Sequence, residues 1–224
     1  VELSVLLDAP CSFGKTIVIS KIIQRLLREN PAFRTLILTD REILVTQSRD
    51  KLLRVAPELA LDIGIVCASV SDTKHLHKRV TIASRQSLIN RLNQFEPVQL
   101  VIVDEVHLMN IPQEGASEPP DQFGSILSTL RTYNPKTRLL GVTASPYRLN
   151  QGYIYGSKNS PGCLPYFSDV HHRITVGELE AQGYLAPLIG KVAVPAGLDT
   201  RLEGVSMVGG EYNLGIISDI MSEG

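Results

Sequence analysis

Short apolar runs rich in Val, Ile and Leu alternate along this chain with longer amphipathic stretches. The runs Leu3–Leu7, Thr35–Thr39, Ile63–Val66, Val80–Ala83, Leu100–Val103 and Arg138–Thr143 predict strands. The stretches Lys15–Arg28, Arg41–Val55 and Ser84–Leu92 predict helices between them. Runs that are apolar on both faces are the mark of parallel strands covered by helices. Strand and helix in alternation therefore predict an α/β fold, an open, doubly wound, mostly parallel sheet flanked by helices. Ligands of such sheets bind at the carboxyl ends of the strands.

The texture changes from Pro146 to Asp169, where Gly, Pro, Ser, Asn and Tyr predict a long loop. Regular structure resumes at Thr175-Val-Gly-Glu178, a capping-box signature opening a short helix, with Gly183 as its stop. Leu188–Val194 is strand-like, and the Gly-rich tail holds one apolar stretch, Leu214–Met221.

At 224 residues, 43% hydrophobic and 20% charged, the chain can bury the core of one large domain, with or without an appendage. A net charge of -1 excludes a polybasic nucleic-acid binder, so any such contact rests on a local patch. Three scattered cysteines, Cys11, Cys67 and Cys163, suggest a reducing compartment and a cytoplasmic location. No apolar run approaches the roughly 20 residues that span a bilayer, so no membrane is expected as a partner. The chain opens on Val-Glu-Leu-Ser with neither a signal peptide nor an initiator methionine, and it reads as a cytosolic fragment of something longer.

Candidate chemistry gathers at two strand ends. Ala9-Pro10-Cys11-Ser12-Phe13-Gly14-Lys15-Thr16 joins the first strand to the first helix. Backbone N–H groups and a helix N-terminus make an anion site there. Gly14 permits close approach, Lys15 reaches the β and γ phosphates, and Thr16 ligates Mg²⁺. Ala9 stands where the general pattern has its first glycine, and Ser12 and Phe13 occupy positions of small residues. Nucleotide affinity is accordingly expected to be weak.

Val101-Ile102-Val103-Asp104-Glu105-Val106-His107 puts adjacent carboxylates at the end of a buried strand. Asp104 is assigned to the metal, Glu105 to the general base, and His107 to sensing the γ-phosphate end. The bland alternative is a solvated acidic turn with His107 as a core histidine.

In these residues the chain resembles superfamily 2 helicases of the DEAD/DEAH type, in a DEVH variant. Leu36–Gln47 resembles motif Ia, Val80–Leu88 the next nucleic-acid-contacting motif, and Gly141–Arg148 motif III. Glu178–Pro187 resembles the exit from the first motor domain, and Thr143–Tyr155 is similar to bacterial RadD-type DNA-repair helicases.

The resemblance implies a RecA-like P-loop NTPase domain over residues 1–195, with 196–224 starting a linker toward a second RecA-like domain. It implies ATP and Mg²⁺ as ligands, and DNA, single-stranded or forked, as partner. Thr39, Arg41, Gln47, Ser84 and Gln86 would line the nucleic-acid track. Thr143 and Ser145 would couple hydrolysis to strand movement, and Arg148 would contact phosphate or the neighbouring domain. The family's upstream glutamine motif and its arginine fingers are not found in the sequence, so very slow hydrolysis is expected. A motor subunit of a restriction-type nuclease shares these motifs, and a non-catalytic nucleic-acid-binding module with a decayed loop is the rival from outside enzymes.

Weaker features remain. Tyr147, Tyr153, Tyr155, Tyr166 and Phe167 either stack on unpaired bases or anchor the long loop. Cys163, His171 and His172 make a poor zinc set. His75 and His77, in a basic stretch with Lys74, Lys78 and Arg79, are expected to be solvated.

Overall fold

A computed structural model describes residues 4–11, 13–70, 73–109, 122–149, 152–156, 167–187, 207–208 and 211–212. Apart from a helix over Gln122–Tyr133 that the sequence pattern did not predict, the elements predicted up to Thr143 form with small shifts at their ends. Strands β1 (Ser4–Asp8), β2 (Thr35–Thr39), β3 (Ile63–Val66), β4 (Val80–Ser84), β5 (Leu100–Asp104) and β6 (Arg138–Thr143) alternate with helices α1 (Lys15–Glu29), α2 (Glu42–Val55), α3 (Arg85–Ile89) and α4 (Gln122–Tyr133). The helix predicted over Ser84–Leu92 is shorter than expected, because α3 ends at Ile89 and a 3₁₀ turn covers Leu92–Gln94.

The predicted loop after β6 contains a small antiparallel hairpin, β7 (Tyr147–Arg148) with β8 (Gly152–Tyr153). A short edge strand β9 (His172–Arg173) follows, and then α5 (Val176–Ala181). Thr175 and Glu178 form the predicted capping box, and Gly183 takes φ +75 beyond it. A further pair, β10 (Met207–Val208) and β11 (Glu211–Tyr212), stands apart from the main sheet. The expected strand Leu188–Val194 and the stretch Leu214–Met221 lie outside the described residues.

The main sheet has seven strands in the order β3-β4-β2-β5-β6-β1-β9, and every pairing is parallel. Alternate residues of the central strands feed two cores. Leu36, Leu38, Val101 and Val103 pack with Phe123, Ile126, Leu127 and Leu130 of α4 on one face. Ile37 and Ile102 pack with Ile19, Ile23 and Leu27 of α1 and with Val45 and Leu52 of α2 on the other. The period of two along each strand thus explains why these runs are apolar throughout.

Parallel pairing brings all the strand carboxyl ends to one edge. Because β6 lies between β1 and β5, Thr143 at its end is flanked by the loop after β1 on one side and the carboxylate pair on the other. Gly141 makes room for this arrangement. A methyl group there would lie 2.5 Å from Phe167 Cζ and 2.9 Å from Val106 Cγ1.

Candidate nucleotide site

The loop after β1 begins at Ala9, which is fully buried and donates its N–H to the Thr143 carbonyl at 2.9 Å. Gly14 precedes α1 with φ 93 and ψ 31, a left-handed conformation that side-chain-bearing residues rarely hold. Its carbonyl accepts the N–H groups of Ile17 and Val18. Ala9 is thus accommodated, buried, where the general pattern has its first glycine, and Gly14 carries the turn. Ser12 lies outside the described residues.

Lys15 folds back over its own loop. Its Nζ donates to the Ala9 carbonyl at 3.3 Å and lies 3.8 Å from Oε1 of Glu105. Its side chain is 13% exposed, and that of Glu105 is 34% exposed. Thr16 opens α1, and its carbonyl accepts the hydroxyl of Ser20.

Asp104 ends β5 half-buried, and its Oδ1 accepts the N–H of Glu105 at 3.1 Å. Glu105 has φ 52 and ψ 49, and among the described residues it is the one non-glycine with positive φ. Such a conformation costs on the order of 1 kcal/mol and is retained where the surroundings over-determine it. Here it turns the carboxylate between Lys15 and His107, whose Nδ1 lies 3.5 Å from Oε2. The same Nδ1 lies 2.7 Å from Oγ1 of Thr143, which also accepts the N–H of Ser145 at 3.0 Å. Arg148 of β7 donates to the Leu108 carbonyl at 2.9 Å, on the turn that carries His107. Nine residues named from the sequence are thus brought into one neighbourhood: Ala9, Gly14, Lys15, Asp104, Glu105, His107, Thr143, Ser145 and Arg148. Within this network Glu105 is 34% exposed, and His107 is hydrogen-bonded to Thr143.

The donor set suits a magnesium-bound triphosphate. A half-buried ammonium, a helix N-terminus opened by a left-handed glycine, a hydroxyl at Thr16 and a strand-end carboxylate offer what phosphates and a hard cation need. Among the described residues no group of three or more His, Cys, Asp or Glu is placed to hold a metal by itself.

The predicted nucleic-acid residues divide in two. Thr39 and Ser84 are register partners at the ends of β2 and β4, and both are buried. The Thr39 hydroxyl donates to the carbonyls of Ala83 and Arg41. These two side chains face the protein because each closes a central strand. Arg41, Gln47 and Gln86 are exposed on the flanking elements. An ion pair that the motif reading missed, Arg85 Nε to Asp40 Oδ1 at 2.6 Å, joins the two segments.

Other expectations change. His75 is not simply solvated, since its Nδ1 accepts the N–H of Ile65 at 3.0 Å, while exposed His77 pairs with Glu96. His171 accepts the Leu6 N–H, and Cys163 lies outside the described residues. Tyr155 and Phe167 are buried and bridge to each other, as anchors do. Tyr147 and Tyr153 are more exposed and meet edge to face at 5.5 Å, and Tyr166 lies outside the described residues.

Sequence reasoning missed Asp8 and Arg173. The guanidinium donates to Asp8 Oδ2 at 2.7 Å and to the Tyr155 hydroxyl at 3.0 Å, and these bonds hold it above the ordinary guanidinium range. No local pattern marks a pair so far apart. Helix α4 was also missed, although Phe123, Ile126, Leu127 and Leu130 carry a plain helical period.

Residues 2–148 match the family described as Type III restriction enzyme, res subunit. No curated protein matches the chain. Among solved structures, the Hef helicase domain of Pyrococcus furiosus aligns at 22% identity with a TM-score of 0.53, over 65% of this chain and 31% of that one. The UvsW helicase from bacteriophage T4 aligns at 21% identity and a TM-score of 0.47, over 63% of this chain and 47% of that one. The Sulfolobus solfataricus SWI2/SNF2 ATPase core, solved in complex with dsDNA, aligns at 16% identity and a TM-score of 0.47, over 63% and 28%. The chain spans less than half the length of each. At such identities it is the fold that is shared, and the Hef domain carries that likeness. Among the described residues no helix is long and apolar enough to cross a membrane.

Proposed function

Because the chain belongs to the family of the type III restriction enzyme res subunit, we propose that it is the ATP-binding and ATP-hydrolysing motor domain of a superfamily 2 DNA helicase or translocase. The observation that carries this reading is the convergence of Lys15 and Glu105, 3.8 Å apart, from the ends of two strands separated by β6.

Lys15 and the N–H groups at the start of α1 bind the phosphates. Thr16 and Asp104 hold the magnesium ion, which when bound neutralises charge on the phosphates. Glu105 orients the attacking water and takes its proton, and its left-handed backbone keeps the carboxylate at that place. His107 passes the state of this centre to Thr143, and through it to Ser145 and the turn after β6. Arg41, Gln47 and Gln86 contact the sugar–phosphate backbone, which gives sequence-independent binding. ATP hydrolysis is the enzyme activity, and a second RecA-like domain is the partner that completes the motor. Residues 1–195 form the first motor domain, and 196–224 lead toward the second.

Two finer readings share this chemistry. Similarity of Thr143–Tyr155 to RadD-type helicases favours a bacterial DNA-repair motor in the cytoplasm. The family's own description favours the motor subunit of a restriction-type nuclease. A decayed, non-catalytic loop is disfavoured, because the left-handed Gly14 and the Lys15–Glu105 approach are both kept.

Titration of the chain and of Lys15→Ala with fluorescent ATP in Mg²⁺ tests the reading. Saturable binding that the variant loses by at least tenfold is expected. Equal binding by both would overturn it.

A further inference from the structure

Asp8 is the last residue of β1 and stands directly before the loop that begins at Ala9. It is the one carboxylate between Glu2 and Glu29 in the chain, and the first turn of α1 has no acidic residue. A negative charge at that place opposes an anion on the loop, because like charges close together repel where water is partly excluded. The Asp8 side chain is 13% exposed, so solvent does little to screen it.

Arg173 meets this carboxylate from the edge strand. Its Nε donates to Oδ2 of Asp8 at 2.7 Å, and its Nη2 donates to the Tyr155 hydroxyl at 3.0 Å. The guanidinium carbon also lies 5.8 Å from the centre of the Tyr155 ring, and Tyr155 is buried. The main chain supports the same contact. Asp8 and Arg173 are register partners of β1 and β9, and the N–H of Ile174 donates to the Asp8 carbonyl at 3.0 Å. Arg173 is thus held from two sides, and Asp8 is held by both its carboxylate and its carbonyl.

The next residue along carries the consequence. The Ala9 carbonyl accepts the Nζ of Lys15 at 3.3 Å. An uncompensated charge on Asp8 would act on the same ammonium that phosphates need, and would repel an anion on the loop beyond. With Arg173 in place the pair is neutral, and Lys15 is left to Glu105 and to the ligand.

We propose that Arg173 is a positioning residue of the phosphate loop: it cancels the charge of Asp8 and fixes its carboxylate, so that the loop beyond takes a polyanion. The proposal rests on the phosphate-loop reading given above. It gives a role in that site to a residue 165 positions along the chain from Asp8.

Calorimetric titration of the full chain in Mg²⁺ with ATP and with inorganic tripolyphosphate tests this. The variants are Arg173→Gln, Asp8→Asn, the double Asp8→Asn/Arg173→Gln, and Lys15→Ala. Gln is neutral and long enough to keep the packing of the arginine stem, and thermal midpoints check that each variant stays folded. Arg173→Gln is expected to weaken both ligands by roughly two- to tenfold at low salt, and by less at high salt. Asp8→Asn is expected to bind both at least as tightly as the wild type. The double variant is expected to return to wild-type affinity, because the carboxylate that Arg173 offsets is gone. A strut that only closed the sheet edge would show no such recovery. Unchanged affinity in Arg173→Gln, weaker binding in Asp8→Asn, or a double variant as weak as Arg173→Gln would overturn the role of Arg173 while the phosphate loop stands. If the wild type binds neither ligand, or Lys15→Ala changes neither, the phosphate-loop reading falls and the role of Arg173 falls with it.

Discussion

Nδ1 of His107 lies 2.7 Å from Oγ1 of Thr143, so the turn after the carboxylate pair is bonded to the last residue of the neighbouring strand. The same hydroxyl accepts the N–H of Ser145, and Thr143 is fully buried. One hydroxyl therefore fixes both the imidazole and the start of the chain's path beyond β6.

Removing that hydroxyl has a defined cost. Thr143→Val is expected to lower unfolding stability by about 1–3 kcal/mol, because a buried partner is lost. A double-mutant cycle with His107→Ala, measured by denaturant unfolding, should give a coupling near 1 kcal/mol. Strict additivity would show that the contact contributes nothing.

Gly141 answers to space alone. An alanine there meets the Phe167 ring and Val106 closer than van der Waals contact allows. Gly141→Ala is expected to cost about 1–3 kcal/mol through overpacking. An unchanged urea midpoint would mean that Phe167 yields freely.

At Glu105, backbone and chemistry pull apart. Its left-handed conformation suits Asn better than an unbranched long side chain. Glu105→Asn is expected to exceed Glu105→Gln in stability by about 0.5 kcal/mol, and under the proposed function both would lose hydrolysis. Thermal unfolding of the two variants side by side decides it, and equal midpoints would remove the strain argument.

The Asp8–Arg173 pair lies at a partly exposed edge, with the Arg173 side chain 48% exposed. Asp8→Asn is therefore expected to cost less than about 1 kcal/mol at low salt, and less again at high salt, where exposed charges are screened. A penalty that survives 1 M salt would point to hydrogen-bond geometry rather than charge.

Glu178 makes stability depend on pH. The N–H of Thr175 first, and its hydroxyl second, hold the carboxyl below its ordinary range. A folded-state pKa below the unfolded one means a contribution that is present above the unfolded value and lost as pH falls through the folded one. Wild type should therefore exceed Glu178→Gln at neutral pH and converge with it in acid. A constant difference from neutral pH to acid would contradict the capping assignment.

Legibility followed distance along the chain. The capping box at Thr175 and Glu178 was readable because both partners sit within one helical turn. Strands β3 and β6 were readable to the residue, since an apolar run bounded by turns is a local pattern. His75 was misread, because the acceptor role of its ring depends on Ile65 lying beside it. Thr39 and Ser84 were placed on the right edge of the sheet, yet their burial follows from being neighbours on β2 and β4.

By itself, the sequence determined the period of each element, the apolar character that forces a two-sided parallel sheet, and the positions of Gly14, Lys15, Asp104 and Glu105 at strand ends. These are properties of residues a few positions apart, where steric preference and burial act directly. The tertiary structure alone decided that β9 lies against β1, that Lys15 meets Glu105, that Thr143 holds His107, and that Phe13 shares a cleft with Tyr184. Those contacts depend on strand order and register, which are set by the whole core packing at once and leave no mark on any short stretch of chain.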